Sequence, residues 1–332
     1  ARLRPGDLVL EVEYSVISPG TELAFYSGIQ AELLAREGRP LHYPTGLGYC
    51  SVGRVVARGP DAPAAQFPDG QRVLASPRHA SLAVVGPNSV AVPVPEQTPA
   101  HLSGFARLAA ISATALRVSS ARPGDWVAVY GLGLIGNFAA QLFTLAGCRV
   151  IGLELSARRR GIAAECGIDH LIDPGSRDPL AAAAELAGTA GVRTVVEATG
   201  LSAVALPALR LARQLGEVIL LGSPRQPYQA DYAELLHQVH IRGVTLKGAL
   251  GGLYPSRDAA AAAGAQGPEA SRVSVEANIR WLLDLIGAGR LKVEPLLLHT
   301  LRPEAAASAY EGHLANPDAY LGTVIDLSLI HI

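Results

Sequence analysis

Three closely spaced glycines, Gly131, Gly133 and Gly136, carry the clearest chemical signature in this chain of 332 residues. Their spacing is typical of a turn that binds the pyrophosphate of a dinucleotide. We assign the tight turn to Gly131, the close approach of the pyrophosphate to Gly133, and helix–strand packing to Gly136. An apolar run at 126–130 precedes them and helix-forming residues at 137–146 follow. The anion would therefore lie at a helix N-terminus.

A carboxylate at the end of the next predicted strand, Glu154, bears on the choice of dinucleotide. It lies where it would accept hydrogen bonds from the ribose hydroxyls of the adenosine, and it would repel a 2′-phosphate. Three arginines at 158–160 are the competing feature, because they could neutralise such a phosphate. We expect NAD as the cofactor, with NADP as the less favoured alternative.

Other cofactor contacts are expected at the glycine loop, around the adenosine ribose, and at strand ends on the same face of the predicted sheet. The residues assigned to these contacts are Gly131, Gly133, Leu134, Ile135, Gly136, Glu154, Ser156, Arg159, Thr199, Gly222 and Ser223.

The sequence pattern that must position these residues changes along the chain. Residues 1–108 are rich in β-branched residues and are broken by Pro-Gly-Asp, Pro-Asp-Gly and Gly-Pro turns, which predicts short antiparallel strands rather than helices. Residues 109–255 alternate strands with helices, which predicts a parallel, doubly wound sheet. Residues 256–326 are expected to return to the first domain, and no function is assigned to the tail at 327–332.

The α/β fold class follows from the alternation in the middle of the chain. An Ala/Gly-rich linker at 259–267 and an amphipathic helix at 276–286 are expected beyond it, before a last strand at 321–326. The predicted strands of the sheet are 127–130, 149–153, 194–197, 218–221 and 244–247, and the predicted helices include 157–166 and 203–215.

Composition excludes several classes of protein. With 49% apolar residues, 17% charged residues and a net charge of −1, the chain is expected to be a soluble globular protein of two domains with no nucleic-acid or membrane partner. It has no apolar run of the roughly 18 residues that a membrane span needs and no signal peptide, so a cytoplasmic location is expected. Its three scattered cysteines offer neither a disulfide framework nor a cysteine-rich metal site. Because the chain lacks Met and opens on a strand-like segment, we expect a first strand to precede it.

Several motifs resemble those of the medium-chain dehydrogenase/reductase superfamily, and the resemblance covers nearly the whole chain. The resemblance implies a GroES-like catalytic domain, a Rossmann domain and a nicotinamide cofactor bound in the cleft between them. It also implies that Thr114 lies near the nicotinamide, and that a homodimer or homotetramer forms through edge strands near 244–250. The motifs occupy residues 16–22, 48–55, 68–73, 131–136, 197–200, 222–223 and 246–252.

The departures from the family pattern concern zinc. In the zinc alcohol dehydrogenases a cysteine, a histidine and a further cysteine or glutamate hold the catalytic metal, and the corresponding places here carry Ser18, Tyr49 and Leu108 or Ala109. None of these side chains binds zinc as a thiolate, imidazole or carboxylate would. The four-cysteine lobe of the structural zinc is also missing. We therefore predict that no zinc is bound, and the chain resembles the zinc-free subgroup that contains bacteriochlorophyllide a dehydrogenase.

Without zinc, another group must stabilise the substrate oxygen and exchange its proton during hydride transfer. Tyr49 is the first candidate, because its phenol could donate to that oxygen if nearby groups lowered its pKa from about 10. The alternative is that its ring only fills the space left by the metal. Glu22 could relay a proton or orient Tyr49, or be a solvated turn residue, and Ser18 and Thr21 are candidate hydroxyl contacts. His79, like most other histidines, is expected to be a surface or packed residue.

Three functional hypotheses follow. The first is a zinc-independent, NAD-dependent dehydrogenase that interconverts a secondary alcohol and a ketone, both small molecules. The second is an NADPH-dependent quinone or enoyl reductase, against which Glu154 argues. The third is a nucleotide-binding protein with little catalysis. The cleft loops near 25–42 and 253–277 would set the substrate, and the sequence does not reveal their shapes.

Overall fold

The structure is a computed structural model that describes residues 2–258 and 273–331. The chain divides into two compact units. The first unit contains Ala1–Ala110 and Gly252–Ile332, and the second contains Ile111–Gly251. The linker predicted at 259–267 lies outside the described residues. Within the described ranges, no helix combines the length and apolar character needed to cross a membrane.

A mostly antiparallel sheet of seven strands forms the centre of the first unit. Its strands are β1 (Leu8–Ile17), β2 (Ser51–Arg58), β3 (Arg72–Ala75), β4 (Leu82–Val85), β5 (Ala91–Pro93), β12 (Leu297–Leu301) and β13 (Gly322–Asp326). The order is β12-β13-β1-β2-β3-β5, and β4 also pairs with β1. Only β12 and β13 pair in parallel. The antiparallel strands predicted for the N-terminal part are therefore confirmed.

Helices in the first unit correct the expectation that its N-terminal part contains strands only. The first helix starts at Pro19, where proline is tolerated because the N–H of the first helical residue has no partner within the helix. Glu22 lies in the first turn, where a negative charge interacts favourably with the helix dipole. The second helix consists mostly of good helix formers. The helices are α1 (Pro19–Tyr26), α2 (Ile29–Arg36), α3 (Ala100–Ser103), α10 (Val275–Gly287) and α11 (Ala306–Ala315).

A parallel sheet of six strands forms the centre of the second unit, as the alternating pattern predicts. Its strands are β6 (Trp126–Tyr130), β7 (Arg149–Leu153), β8 (His170–Ile172), β9 (Val192–Glu197), β10 (Ala212–Leu220) and β11 (Thr245–Gly248). The order is β11-β10-β9-β6-β7-β8, so the chain reverses direction across the sheet between β6 and β9. Ligands of such sheets bind at the carboxyl ends of the strands near this reversal.

Helices connect these strands. The helix predicted at 203–215 is too long, because it ends at Leu211 and Ala212 already pairs with Val192 of the neighbouring strand. Strand β8 was not predicted. The helices are α4 (Phe105–Val118), which begins in the first unit, α5 (Leu134–Leu145), α6 (Ala157–Glu165), α7 (Pro179–Ala187), α8 (Ala205–Leu211) and α9 (Tyr232–His240).

Candidate active site

Two hydroxyl groups meet in the first unit, at the places where the family resemblance puts zinc ligands. Ser18 is the residue before α1, and Tyr49 lies just before β2. The Oγ of Ser18 and the Oη of Tyr49 are 2.5 Å apart, which is a short hydrogen bond. The hydroxyl of Thr21, in the first turn of α1, acts to lower the pKa of the phenol. Three of the four predicted catalytic residues therefore form one cluster.

The pKa of Tyr49 is raised, whereas the acid role considered from the sequence required nearby groups to lower it. Burial raises it, and the neighbouring Cys50 adds to the increase; the hydrogen bonds from Ser18 and Thr21 and the charge of Arg107 oppose this without reversing it. The phenol is therefore protonated and able to donate a hydrogen bond. This arrangement suits a donor to a carbonyl or alkoxide oxygen rather than a tyrosinate base.

Glu22, the fourth predicted catalytic residue, is linked to Tyr49 through Ser18. It is only 1% exposed, and its Oε1 accepts the backbone N–H of Ser18 at 2.9 Å. Its Oε2 accepts from Tyr310 at 2.5 Å and lies 2.8 Å from His79 Nε2. A buried carboxylate needs such donors to offset its lost hydration. Glu22 thus fixes the residue that carries the Ser18 hydroxyl.

The imidazole of His79 extends this network. Its Nδ1 lies 2.6 Å from the hydroxyl of Ser15 in β1, which lies 2.8 Å from the hydroxyl of Ser51 in β2. Two hydroxyls can turn to donate or accept, so they satisfy either protonation state of the imidazole. His79 is therefore a packed histidine, and both of its ring nitrogens have hydrogen-bonding partners.

The sequence did not point to three residues of this cluster. His79 and Tyr310 are 57 and 288 residues away from Glu22 along the chain, and neither belongs to a recognisable motif. Arg107 is the third, with its Cζ 5.1 Å from the ring centroid of Tyr49. A cation at this distance lies within the range of a cation–π contact.

The residues at this position do not fit a zinc ion. Zinc sites in proteins use thiolate, imidazole or carboxylate ligands. The hydroxyls of Ser18 and Tyr49 are neutral, and burial raises the pKa of the adjacent Cys50 thiol well above its usual range. Among residues 2–258 and 273–331, no three His, Cys, Asp or Glu side chains are grouped so that they could hold a metal ion. No step of the reaction is therefore assigned to zinc.

The glycine loop lies in the second unit at the carboxyl end of β6. Gly131 has a φ of +82°, which favours glycine, and a Cβ there would lie 2.7 Å from Cγ2 of Thr199. A Cβ on Gly136 would lie 1.8 Å from the carbonyl oxygen of Gly131. A Cβ on Gly133 would meet no protein atom within 4 Å. Packing therefore explains two of the glycines, and the space beside Gly133 is open.

Glu154, immediately after β7, lies beside this loop. Its Oε2 accepts the N–H of Leu132 at 2.8 Å and its Oε1 accepts the N–H of Ser156 at 3.0 Å. Ser156 also caps α6, with its Oγ accepting the N–H of Arg159. The guanidinium of Arg159 lies 4.0 Å from Glu154. The carboxylate thus ties the loop to the end of the next strand, where an adenosine ribose would bind.

Two of the three arginines at 158–160 have partners at this edge of the sheet. Arg160 donates to the carbonyl oxygens of Glu154 and Leu155 at 2.6 and 2.7 Å and lies 3.3 Å from the carboxylate of Asp173. Arg158 is exposed. An arginine held by a carboxylate is less able to neutralise a 2′-phosphate.

The remaining predicted cofactor residues lie at or near the same edge. Thr199 and Gly200 donate their N–H groups to Glu197, at the end of β9. Gly222 packs so closely on Gly200 that a Cβ would lie 2.2 Å from its nitrogen, and Ser223 follows. Leu134 and Ile135 open α5.

Thr114 is placed differently from the other predicted cofactor residues. Its side chain is 2% exposed, and its hydroxyl lies 2.8 Å from the carbonyl oxygen of Ala249. In this arrangement the hydroxyl stabilises the second unit.

Known proteins resemble this chain in both sequence and fold. Residues 135–263 match the family model described as zinc-binding dehydrogenase. An alcohol dehydrogenase of Geobacillus stearothermophilus is 30% identical over 138 residues, which are 42% of this chain and 39% of that protein. The chain thus matches less than half the length of this relative. These matches support the medium-chain dehydrogenase/reductase superfamily that the motifs predict.

Solved structures of dehydrogenases share the fold of this chain. One is a putative zinc-binding dehydrogenase from Sinorhizobium meliloti 1021 bound to NADP, with 21% identity, a TM-score of 0.77, and coverage of 98% of this chain and 93% of that one. Another is described as a short chain alcohol dehydrogenase from Escherichia coli CFT073 complexed with NADH, with 17% identity, a TM-score of 0.76, and coverage of 98% of this chain and 93% of that one. The expected combination of a GroES-like and a Rossmann domain is confirmed.

Proposed function

We propose that this protein is a zinc-independent, NAD(H)-dependent oxidoreductase that interconverts a secondary alcohol and a ketone by hydride transfer. The observation that carries the proposal is the 2.5 Å contact between the hydroxyls of Ser18 and Tyr49 at the places where related enzymes hold zinc. The proposal includes membership of the zinc-free subgroup of the superfamily.

In this proposal, a hydrogen bond from Tyr49 stabilises the substrate oxygen in place of a metal ion. Its phenol remains protonated because burial raises its pKa, so it donates to a ketone oxygen and stabilises the alkoxide as hydride arrives at carbon. Ser18 and Thr21 hold the phenol oxygen in place and are the nearest groups through which its proton can be replaced. Glu22 positions Ser18.

The second unit supplies the cofactor site in this proposal. A nicotinamide dinucleotide, when bound, provides the hydride acceptor or donor. Gly133 and the N-terminus of α5 would hold its pyrophosphate, because no protein atom lies within 4 Å of a Cβ at Gly133. Glu154 would accept hydrogen bonds from the ribose. The ion pair of Arg160 with Asp173 supports NAD over NADP.

The test is an assay of chelator-treated protein with NAD⁺ or NADP⁺ and a panel of secondary alcohols, and with NADH or NADPH and ketones or enones. We expect turnover of alcohols and ketones with NAD(H) that added zinc does not increase. Enone reduction with NADPH alone would favour the quinone or enoyl reductase. Tight cofactor binding without any turnover would favour a nucleotide-binding protein with little catalysis.

We also propose that the protein forms a homodimer or homotetramer through β11. This strand is last in the order of the parallel sheet. The side chains of Leu246 and Leu250 are 39% and 58% exposed, and Tyr232 and Leu236 of α9 add apolar surface. An exposed apolar edge strand tends to pair with another chain. Sedimentation equilibrium of Leu246→Lys should report monomers, whereas Leu82→Lys on β4 should leave the assembly unchanged.

A further inference from the structure

Arg107 stands out among the arginines of the first unit because it lies beside the candidate catalytic phenol. Its Cζ is 5.1 Å from the ring centroid of Tyr49. Its Nε lies 3.4 Å from the hydroxyl of Ser76. The side chain is half-buried. A guanidinium is thus held at a fixed place next to the hydroxyl pair.

Within residues 2–258 and 273–331, no acidic side chain forms an ion pair with Arg107. By contrast, Arg54 and Arg72 of the same unit both contact Glu13, at 2.8 and 2.6 Å. Contact with a ring face uses the flat side of a guanidinium and leaves the N–H groups at its edge available. The two terminal nitrogens of Arg107 have no acceptor in the described part of the chain, so they can bind a ligand.

We propose that Arg107 binds an oxyanion, a carboxylate or a phosphate, carried by the substrate. The proposal rests on the function proposed above, in which Tyr49 contacts the reacting oxygen. The substrate class is therefore a small hydroxy or keto compound with one negatively charged group near the reacting carbon.

Geometry and charge both favour a small anion. A guanidinium forms two parallel hydrogen bonds with a carboxylate or phosphate, and such bonds are strongest where water is partly excluded. Because Arg107 and the Tyr49 ring are in contact, the group that binds the guanidinium and the oxygen that binds the phenol must be close together in the substrate. The charge of Arg107 also reaches the buried Cys50 thiol and counteracts part of its raised pKa.

A binding experiment tests the oxyanion site without turnover. The protein would be labelled with 3-fluorotyrosine, and the Tyr49 resonance assigned by its absence in Tyr49→Phe. Titration with oxalate or inorganic phosphate, against chloride at equal ionic strength, should shift this resonance saturably. The shift should disappear in Arg107→Gln and persist in Arg302→Gln, which removes an exposed arginine of the same unit. The tighter of the two anions identifies the oxyanion as carboxylate or phosphate.

Kinetics with matched substrates then test the role of the oxyanion. A hydroxy acid and its methyl ester, or a hydroxy phosphate and the free diol, differ only in the charged group. Arg107→Gln should lower kcat/KM for the charged member by about 10- to 100-fold more than for the uncharged member, because a charge-assisted hydrogen bond is lost. Arg107→Lys should keep part of the preference for the charged substrate over the uncharged one.

Two results would overturn the proposal. One is an anion-induced shift that is absent, or equal in Arg107→Gln and the parent protein. The other is an equal loss for charged and uncharged substrates, which would mean that Arg107 acts only through the Tyr49 ring. An Arg107-dependent shift without any hydride transfer would support the oxyanion site while contradicting the proposed oxidoreductase activity, so the two failures are distinguishable.

Discussion

The hydroxyl of Ser18 lies 2.5 Å from the phenol oxygen of Tyr49, and the backbone N–H of the same serine is held by Glu22 at 2.9 Å. One residue thus connects a buried carboxylate to a protonated phenol without placing the two in contact. In the proposed reaction, Tyr49 is the hydrogen-bond donor and Glu22 positions the serine that contacts it.

Removal of the Tyr49 hydroxyl should impair the reaction selectively. Tyr49→Phe keeps the ring that packs under Arg107, so we expect kcat to fall by about 100-fold or more with little change in NADH affinity. Steady-state kinetics and a fluorescence titration would measure both. Tyr228→Phe, at a 58% exposed tyrosine of the second unit, is the control. Unchanged turnover in Tyr49→Phe would mean that the ring only fills space.

The protonation state of the same phenol gives a pH prediction. Because burial raises the pKa of Tyr49, its proton should remain as the pH rises past about 10, where free tyrosine ionises. Ultraviolet difference spectra of the parent protein against Tyr49→Phe should therefore contain no tyrosinate signal from this residue at mildly alkaline pH. A signal near neutral pH would show a base instead of a donor.

Two glycines of the loop should respond differently to alanine. Gly136→Ala places a Cβ 1.8 Å from the carbonyl oxygen of Gly131 and should lower the free energy of unfolding by about 1–3 kcal/mol. Gly133→Ala meets no protein atom within 4 Å, so it should fold normally but bind NADH at least about 10-fold more weakly. Gly161→Ala in α6 is the control, with unchanged NADH affinity. Normal NADH binding by Gly133→Ala would contradict the assigned pyrophosphate site.

The role of His79 is tested by two amides of different length. Gln can place a donor near the position of Nε2 and keep the contact with Glu22. Asn is shorter, so it can keep only the contact that Nδ1 makes with the Ser15 hydroxyl. We expect His79→Asn to lower stability by about 1.5–3 kcal/mol and kcat as well, and His79→Gln to restore much of both. His299→Asn, which loses a 3.0 Å contact with Ala319, is the control for kcat. Equal effects of Asn and Gln would argue against the Glu22 contact.

Much of the fold could be predicted from the sequence, because local patterns determine it. Buried parallel strands are apolar throughout, so the run ending at Tyr130 and the strand Arg149–Leu153 could be recognised directly. Helix α1 was missed because its Ser-Pro-Gly-Thr start also fits a turn. The end of α8 was misplaced because Ala212 to Leu215 contains good helix formers, and tertiary pairing with Val192 determines its conformation.

The candidate site was only partly predictable. Ser18, Thr21 and Tyr49 lie in recognisable motifs, and the structure brings them together. The groups that set their electrostatics come from distant parts of the chain. Tyr310 reaches Glu22 across 288 residues, and such a contact has no local signature. The direction of the Tyr49 pKa depends on burial, which only the folded structure reveals.

A buried ion pair in the second unit gives a second pH prediction. Burial alone would raise the pKa of Glu217, but hydrogen bonds from Lys247, Ser119, Thr194 and the N–H of Ser120 lower it below its usual 4.5. The stabilisation is thus present above pH 4.5 and is lost as the pH falls through the lower folded-state pKa. Glu217→Gln should be less stable at pH 7, and the difference should shrink in acid. A difference that does not depend on pH would contradict this assignment.

A titration of chelator-treated protein with NADH and with NADPH tests most directly whether the protein prefers NAD and needs no zinc. Nicotinamide fluorescence would report binding, and elemental analysis would report zinc in the same sample. We expect tighter binding of NADH, a preference that weakens in Glu154→Gln, and no zinc. Preferential binding of NADPH, or zinc in stoichiometric amount, would contradict the proposed zinc-independent, NAD-dependent reaction.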